Sequence, residues 1–160
     1  SSTIVLPNGS CLSGLNGEAL SFGEWEIHDL DGNTSTLEKV VSGSGISEQF
    51  NNVFKRKLSA LEIHNEAVAG NKESQEFLNK IGAILGNQIV KFALVLDPDE
   101  IILGGGIGSS DSLMRNNAAA QYQKVYPRRK PAPVMPARLK SDSGLLGAAI
   151  AGFIFLEGRA

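Results

Sequence analysis

The segment at residues 96–106 constrains the fold more than any other stretch of the chain. It reads Leu-Asp-Pro-Asp-Glu-Ile-Ile-Leu-Gly-Gly-Gly and follows a long amphipathic pattern. Pro98 favours an end to the preceding helix, and the unbroken apolar run 101–103 predicts a strand covered on both faces. The triple glycine then predicts a bare backbone turn at the carboxyl end of that strand. In open α/β sheets this is where ligands, and phosphates in particular, bind.

The rest of the pattern predicts an α/β fold. Apolar residues recur at three- and four-residue spacing over residues 72–96, which predicts the longest helix. Gly82 and Gly86 lie one turn apart on it, and each costs about 1 kcal/mol relative to alanine, so we expect them to permit the close approach of another element. One further helix is predicted from a Thr36 cap to a break at Ser42–Gly45. The others are predicted over 46–56, 59–69 and 112–124, and from Gly144 onward. Short strands are predicted at 1–6, where a turn at 7–10 leads into a second strand, at 25–27 and at 134–139.

Composition and charge exclude several classes of function. The chain has 160 residues, of which 42% are hydrophobic, and a formal net charge of −2. It is long enough for one domain or for half of a two-domain protein. The near-neutral balance gives no electrostatic reason to expect a nucleic-acid partner, and the basic run 126–130 is interpreted as a solvated loop. The apolar stretch 144–156 is too short to span a bilayer and predicts a buried core helix.

The single cysteine and the two histidines limit the metal and redox chemistry of the chain. Cys11 is the only cysteine, so neither an internal disulfide nor a cysteine-based metal site can form, which fits a reducing, cytoplasmic location. The opening residues do not have the pattern of a signal peptide, and we expect none. His28 lies beside Asp29 and Asp31, but all three residues lie within one turn, and no distant part of the sequence supplies a further ligand. We therefore expect no metal there. His64 is predicted at the surface of a helix.

Two separated motifs resemble the signature of the ROK family, which comprises sugar kinases and related transcriptional repressors of the actin-like ATPase superfamily. The first is the segment 96–106, and the second is Asp-Ser-Gly-Leu-Leu-Gly-Ala-Ala at 142–149. Thr-Leu-Glu at 36–38, followed by Ser42 and Gly43, also resembles the family's segment around its sugar-contacting glutamate. The resemblance implies an α/β half-fold of the actin-like ATPase (ribonuclease H-like) type, with a mixed central sheet flanked by helices.

The resemblance also implies that residues 1–160 form the C-terminal domain of a ROK-type sugar kinase. The family's N-terminal half, with its glycine-rich phosphate loop and catalytic aspartate, is not present in these residues. A chain that opens inside a predicted strand agrees with this expectation. We therefore expect no catalytic residue here and an inactive isolated chain. The implied reaction is phosphoryl transfer from ATP or polyphosphate, with Mg²⁺, to a hexose hydroxyl.

The resemblance assigns Gly104, Gly105 and Gly106 to the nucleotide-binding cleft. Backbone amides in such a turn can point at an anion with no side chain in the way. The alternative is a tight turn between strand and helix that binds no ligand.

The sugar-binding candidates are Glu38, Glu24, Asn16 and Ser21. Glu38 occupies the family's glutamate position, although a carboxylate in the first turn of a helix is favourable without any ligand. The loop 16–24 resembles the family's stretch that ends in glutamate, two residues and histidine. Aligned without gaps, the glutamate position holds Ser21 and the histidine position holds Glu24. A polyol is then an alternative ligand. No zinc is expected, because the family's zinc site uses this histidine with three cysteines.

Three functions remain open from the sequence. The chain is the sugar- and nucleotide-binding part of a kinase, a catalytically degenerate sugar-sensing regulator, or an assembly subunit. The expected partners are a small sugar and a nucleotide, with a homo-oligomer or the missing N-terminal half as the protein partner and no membrane. An orphan half-fold exposes an apolar face, and such faces drive association.

Overall fold

The computed structural model describes residues 2–18, 20–105, 108, 113–139 and 142–157. It divides into two compact units, Ser1–Ala60 and Leu61–Ala160. Both combine helices with short strands, as predicted. None of the helices that the structure describes is both long and apolar enough to cross a bilayer.

The first unit is a β-hairpin followed by two helices. β1 (Glu26–His28) pairs in antiparallel fashion with β2 (Thr34–Thr36). The turn between them is closed by Asp29, whose Oδ1 accepts hydrogen bonds from the backbone N–H groups of Asp31 at 3.0 Å and Asn33 at 2.8 Å. The helices are α1 (Leu37–Val41) and α2 (Gly43–Phe54). The buried apolar side chains of this unit are Ile27, Leu37, Val40, Ile46, Phe50 and Ala60.

Two hydroxyl side chains set where the helices of the first unit begin. The predicted cap is confirmed, because Thr36 Oγ1 accepts a hydrogen bond from the Lys39 N–H at 3.4 Å. Ser42 Oγ accepts one from the Gly45 N–H at 3.1 Å. This second cap offsets the poor helix propensity of the glycines that follow. The predicted break over 42–45 is therefore only one residue long, and α2 begins at Gly43 instead of residue 46.

The amino-terminal residues form a tight turn with little strand. Val5 and Cys11 make an isolated antiparallel bridge, and the Leu6 N–H donates to the Ser10 carbonyl at 2.8 Å. Gly9 has a φ of +83° in this turn. The turn predicted at 7–10 is confirmed, while the two strands beside it are reduced to one bridge.

The second unit contains four helices and one pair of parallel strands among its described residues. The helices are α3 (Ala60–Val68), α4 (Lys72–Leu96), α5 (Leu113–Val125) and α6 (Ser143–Glu157). β3 (Ile101–Leu103) pairs with β4 (Val134–Pro136) in parallel, and Ile101 stands opposite Val134. Parallel neighbours need a crossover connection, and α5 supplies it. The segment 101–136 is therefore a βαβ unit.

Gly82 and Gly86 let α4 and α5 pack with their backbones in close contact. A Cβ placed on Gly82 would lie 2.7 Å from the Met114 carbonyl oxygen, and one on Gly86 would lie 2.6 Å from the Ala118 carbonyl oxygen. Such distances are shorter than real side chains tolerate, so both positions require glycine. The predicted close approach is confirmed. Since the contacts advance along both helices together, α4 and α5 run parallel.

Side-chain amides hold the register of the same contact on either side of the glycines. Asn117 Nδ2 donates to Asn79 Oδ1, and Gln121 Nε2 donates to Asn87 Oδ1 at 2.9 Å. Both pairs are exposed, so each contributes less to stability than the roughly 0.5–1.5 kcal/mol of an ordinary hydrogen bond. Their main effect is to disfavour sliding of one helix along the other.

Tyr122 ties the chain after α5 back onto that helix. Its side chain is fully buried, and its phenol oxygen accepts a hydrogen bond from the Ala132 N–H at 3.1 Å. The Tyr126 ring packs against it with 5.1 Å between the ring centroids. One residue further along, the Pro133 carbonyl accepts from the Ile101 N–H at 2.9 Å, where β4 meets β3. Burial raises the pKa of the Tyr122 phenol above its ordinary value of 10.0.

Arg128 shows that the basic run is more than a solvated loop. Its guanidinium donates to Asp97 Oδ1 at 3.0 Å and to the Leu94 carbonyl at 3.1 Å. Asp97, with a φ of 44°, ends α4 directly before Pro98, so the predicted helix stop is confirmed. Since both side chains of the pair are largely exposed, the pair contributes about 0–1 kcal/mol. It fixes the loop to the carboxyl end of α4.

Three predictions of burial or exposure are wrong. Ile102, predicted in a strand covered on both faces, is 61% exposed, and α6, predicted as a core helix, exposes Leu145 at 75% and Phe153 at 67%. The cause is that no described element covers these faces: β3 has β4 as its only described neighbour. His64, predicted at the surface, is partly buried, and its Nδ1 is buried without a hydrogen-bond partner in the described structure.

Alanine at either contact glycine is expected to destabilise the protein. Overpacking costs about 1–3 kcal/mol, and a gain of about 1 kcal/mol in helix propensity offsets only part of it. The free energy of unfolding, measured in urea, should therefore fall for Gly82→Ala and Gly86→Ala. Gly147→Ala is the matched control, because a Cβ at this position of α6 would meet nothing within 4 Å. It should leave stability unchanged or raise it. Stabilisation by all three substitutions would contradict the close contact.

The raised pKa of Tyr122 predicts a loss of stability at alkaline pH. Because the neutral phenol is favoured in the folded state, its contribution is fully present below pH 10.0, the ordinary value, and is lost as pH rises through the folded-state pKa. We expect Tyr122→Phe to be less stable at neutral pH, since the Ala132 N–H loses its acceptor, and to show a shallower alkaline decline. Urea unfolding across the alkaline range measures this. Tyr126→Phe should keep the steep decline, and an equally steep decline in Tyr122→Phe would refute the assignment.

Candidate functional site

A short 3-10 turn, Phe22–Glu24, holds Gly23 against the side chain of Glu38. A Cβ on Gly23 would lie 2.6 Å from Glu38 Oε2 and 3.2 Å from Glu38 Cβ. Any larger residue at position 23 would push the Glu38 side chain away from the turn. The structure thus brings together Glu38, at the start of α1, and the loop that precedes β1.

Two sets of hydrogen bonds fix this turn in place. The Leu37 N–H donates to the Trp25 carbonyl at 2.9 Å, which joins the turn to the start of α1. On the other side, Ser2 Oγ donates to the Leu20 carbonyl at 2.6 Å and accepts from the Phe22 N–H at 3.0 Å. The turn is therefore held at both ends. The role of Ser2 was missed from the sequence, since a serine hydroxyl that acts 18 residues away leaves no local pattern.

The threefold repeat of the 3-10 turn gives its side chains three directions. Residues three apart lie over one another in such a helix, so Trp25, with a helical φ of −63°, lies over Phe22, while Ser21, with a ψ of 74°, precedes the repeat. Gly23 faces Glu38. Ser21 and Glu24 are exposed. The structure therefore groups three of the four sugar candidates around one turn.

Asn16, the fourth sugar candidate, lies in a separate exposed turn. This turn is closed by a hydrogen bond from the Gly17 N–H to the Gly14 carbonyl at 3.0 Å and by one from the Gly14 N–H to the Glu18 carbonyl at 3.1 Å. Asn16 takes no part in the contact between Gly23 and Glu38. Its assignment rests on the resemblance alone.

The carboxylates around the turn determine which chemical groups it can bind. Glu24 and Glu38 are exposed, and an ionised carboxylate only accepts hydrogen bonds. The Ser21 hydroxyl both donates and accepts. The site therefore suits a ligand rich in hydroxyl donors.

In the second unit, Gly104 and Gly105 form the turn after β3. Gly105 has a φ of +77°, which favours glycine, and both residues are exposed. A Cβ on Gly108 would lie 3.1 Å from the Leu103 carbonyl carbon, so the chain folds tightly back over the end of the strand. Gly106 lies outside the described residues. The close packing at position 108 was missed from the sequence.

The described part of the chain offers no preformed metal centre. No group of three or more His, Cys, Asp or Glu side chains is placed there to hold an ion. Cys11 and His28 are both exposed. Asp29 uses its carboxylate to close the β-hairpin turn.

Comparison with curated proteins finds N-acetylmannosamine kinases among the relatives of this chain. Two of them are the N-acetylmannosamine kinases of Yersinia pestis (strain Pestoides F) and of Yersinia pseudotuberculosis serotype O:1b (strain IP 31758). Each is 30% identical to this chain over 119 residues, which cover 74% of this chain and 40% of the relative. The chain thus spans less than half the length of these relatives.

Solved structures share the fold at lower identity. A ROK hexokinase from Thermus thermophilus matches with a TM-score of 0.75 and 20% identity, over 93% of this chain and 52% of that one. A ROK family glucokinase from Streptomyces griseus, in complex with glucose and AMPPNP, matches with a TM-score of 0.76 and 21% identity, over 89% and 54%. At this identity the likeness shows the fold alone, and the predicted actin-like α/β class is confirmed.

The motifs that resembled one family are matched by the comparison of the whole sequence. The model of the ROK family covers residues 3–151, which include the turn at Gly23, Glu38 and the glycines after β3. This match takes in nearly all of both units. The chain belongs to the ROK family.

Proposed function

We propose that the chain is the sugar- and nucleotide-binding part of a ROK-type sugar kinase. The reaction is phosphoryl transfer from ATP or polyphosphate to a hexose hydroxyl, and the catalytic aspartate comes from residues outside these 160. Family membership and 30% identity to N-acetylmannosamine kinases support the proposal. In this proposal residues 1–160 correspond to the C-terminal domain of the enzyme.

The contact between Gly23 and Glu38 carries the proposal. The resemblance assigns both segments to one sugar, and they meet with a carboxylate lying over a bare turn. Hydroxyl groups of a sugar are good donors to such a carboxylate. Helix electrostatics alone would favour a carboxylate at position 38, but would not require a residue without a side chain at position 23.

The turn at Gly104 and Gly105 fits the nucleotide side of the same proposal. Its exposed backbone carries no side chain that would obstruct a phosphate, and amides in such turns bind anions. Mg²⁺ supplies neutralisation of the phosphate charge when it is bound. Proteins commonly hold Mg²⁺ through the substrate phosphates and few carboxylates. Its binding therefore does not require a preformed metal cluster among the described residues.

The residues at positions 21 and 24 favour a second candidate, a sugar-sensing regulator without catalysis. Relative to the family pattern, Ser21 is shorter than glutamate, and Glu24 cannot donate a hydrogen bond as histidine can. These changes alter the hydrogen bonds that a sugar would receive without removing Glu38. A regulator needs only to bind the sugar and does not need to catalyse phosphoryl transfer.

The exposed apolar side chains of α6 favour a protein partner in either case. Leu145, Ile150 and Phe153 are 75%, 57% and 67% exposed, and apolar patches of this kind drive association. The partner in this proposal is the complementary half of a kinase fold or a second copy of the chain.

Calorimetric titration with glucose and with N-acetylmannosamine tests the sugar site. We expect the protein to bind one of them, and Glu38→Gln to weaken binding about 10- to 100-fold, because a hydrogen bond to a charged group contributes about 1.5–3 kcal/mol. Gly23→Ala should also weaken it by displacing Glu38. The matched controls, Glu48→Gln on α2 and Gly147→Ala on α6, should bind as the original protein does. Unaltered binding in Glu38→Gln and Gly23→Ala would contradict the site.

The same protein should show no turnover. With sugar, ATP and Mg²⁺ present, phosphoryl transfer by the 160-residue chain would contradict the assignment of the catalytic aspartate to other residues.

A further inference from the structure

We infer that the indole of Trp25 binds the apolar C–H face of the sugar ring held at Glu38, an inference that rests on the proposed function of that site. Trp25 was not among the sugar candidates drawn from the sequence. Its place beside Glu38, its exposure and its fixed orientation together give it this role.

Trp25 stands next to Glu38 through the backbone. Its carbonyl accepts the hydrogen bond from the Leu37 N–H at 2.9 Å, so the residue before Glu38 is bonded directly to Trp25. Gly23, two residues before Trp25, contacts the Glu38 side chain. Trp25 and Glu38 therefore lie at the same turn of the first unit.

Trp25 has the only exposed aromatic side chain among the described residues of the first unit. It is 41% exposed, while Phe50 is buried at 0% and Phe22 and Phe54 are partly buried. An aromatic side chain buries about 150–250 Å² of surface when a ligand covers it, and this burial is a large source of binding energy. A ligand that covers the indole would gain part of that energy.

The orientation of the indole is set before any ligand arrives. Its ring meets that of Phe22 edge to face, with centroids 5.5 Å apart and an angle of 89° between the planes. The two residues share one side of the 3-10 turn, and Ser2 fixes the backbone of Phe22. A ligand therefore spends little free energy on ordering the indole.

The chemistry of the two groups matches the two kinds of surface on a pyranose. Hydroxyls around the ring suit the acceptor oxygens of Glu38, and the C–H groups of a ring face suit an aromatic surface. Ligand sites commonly combine aromatic walls with a few placed polar groups. Glu24 and Ser21 are exposed at the same turn and are available to further hydroxyls.

Trp25 is the only tryptophan in the chain, so its fluorescence reports on the site directly. Titration with glucose or N-acetylmannosamine should change its emission saturably, with the same Kd as calorimetry. Trp25→Leu should weaken binding about 2- to 10-fold through loss of the aromatic contact, and Trp25→Phe should restore most of it. Val53→Ala, which alters an exposed apolar side chain on α2, is the matched control and should bind normally. Circular dichroism checks that each variant is folded.

The outcomes separate this inference from the proposed function. Sugar binding detected by calorimetry, with unchanged emission and full affinity in Trp25→Leu, overturns the role of Trp25 and leaves the proposed function standing. Equal loss in Trp25→Leu and Trp25→Phe also overturns it, because a bulky indole and not an aromatic face would then be needed. Absence of binding to either sugar in the original protein overturns both.

Discussion

The close contact between α4 and α5 is the constraint on which the second unit depends. Two glycines one helical turn apart bring Met114 and Ala118 of α5 onto the backbone of α4. Because α5 is also the crossover between β3 and β4, its position on α4 decides where the parallel strand pair forms. Tyr122, fully buried on α5, then anchors the returning chain through the Ala132 N–H. The exposed turn at Gly104 and Gly105 follows directly from the end of β3 in this arrangement.

In the first unit a glycine has a different structural role. Gly23 makes room for a carboxylate, where Gly82 and Gly86 make room for a backbone. The bond from Leu37 to Trp25 and the two bonds of Ser2 Oγ hold the turn. A turn restrained at both ends keeps Glu38 near Ser21 and Glu24 without help from a ligand. Such preorganisation lowers the free energy that binding must spend on ordering the site.

The sequence predicted those features whose cause is local. The Thr36 cap, the helix stop at Pro98 and the close approach at the costly glycines Gly82 and Gly86 each depend on a residue type with few structural uses. The start of α2 has an equally local cause, the Ser42 cap, but it was predicted at residue 46 and that prediction was wrong. The family was recognised from motifs, and neither periodicity nor composition would have given it.

Features that depend on distant partners were not predictable. The exposure of Ile102 and of α6 differs from expectation because an apolar run shows that a segment is fit for burial, but not which element covers it. Ser2 acts on a loop 18 and 20 residues away through one hydroxyl. At the candidate site, the residues were therefore easier to predict than the contact between Gly23 and Glu38.

Amide hydrogen exchange with and without saturating hexose tests the central claim most directly, that the turn at residues 22–25 and the start of α1 form one sugar site. The account predicts slower exchange on hexose addition at residues 22–25 and 37–39, with little change at the hairpin turn closed by Asp29. Slowing confined to other parts of the chain, or none anywhere at saturating hexose, would contradict it.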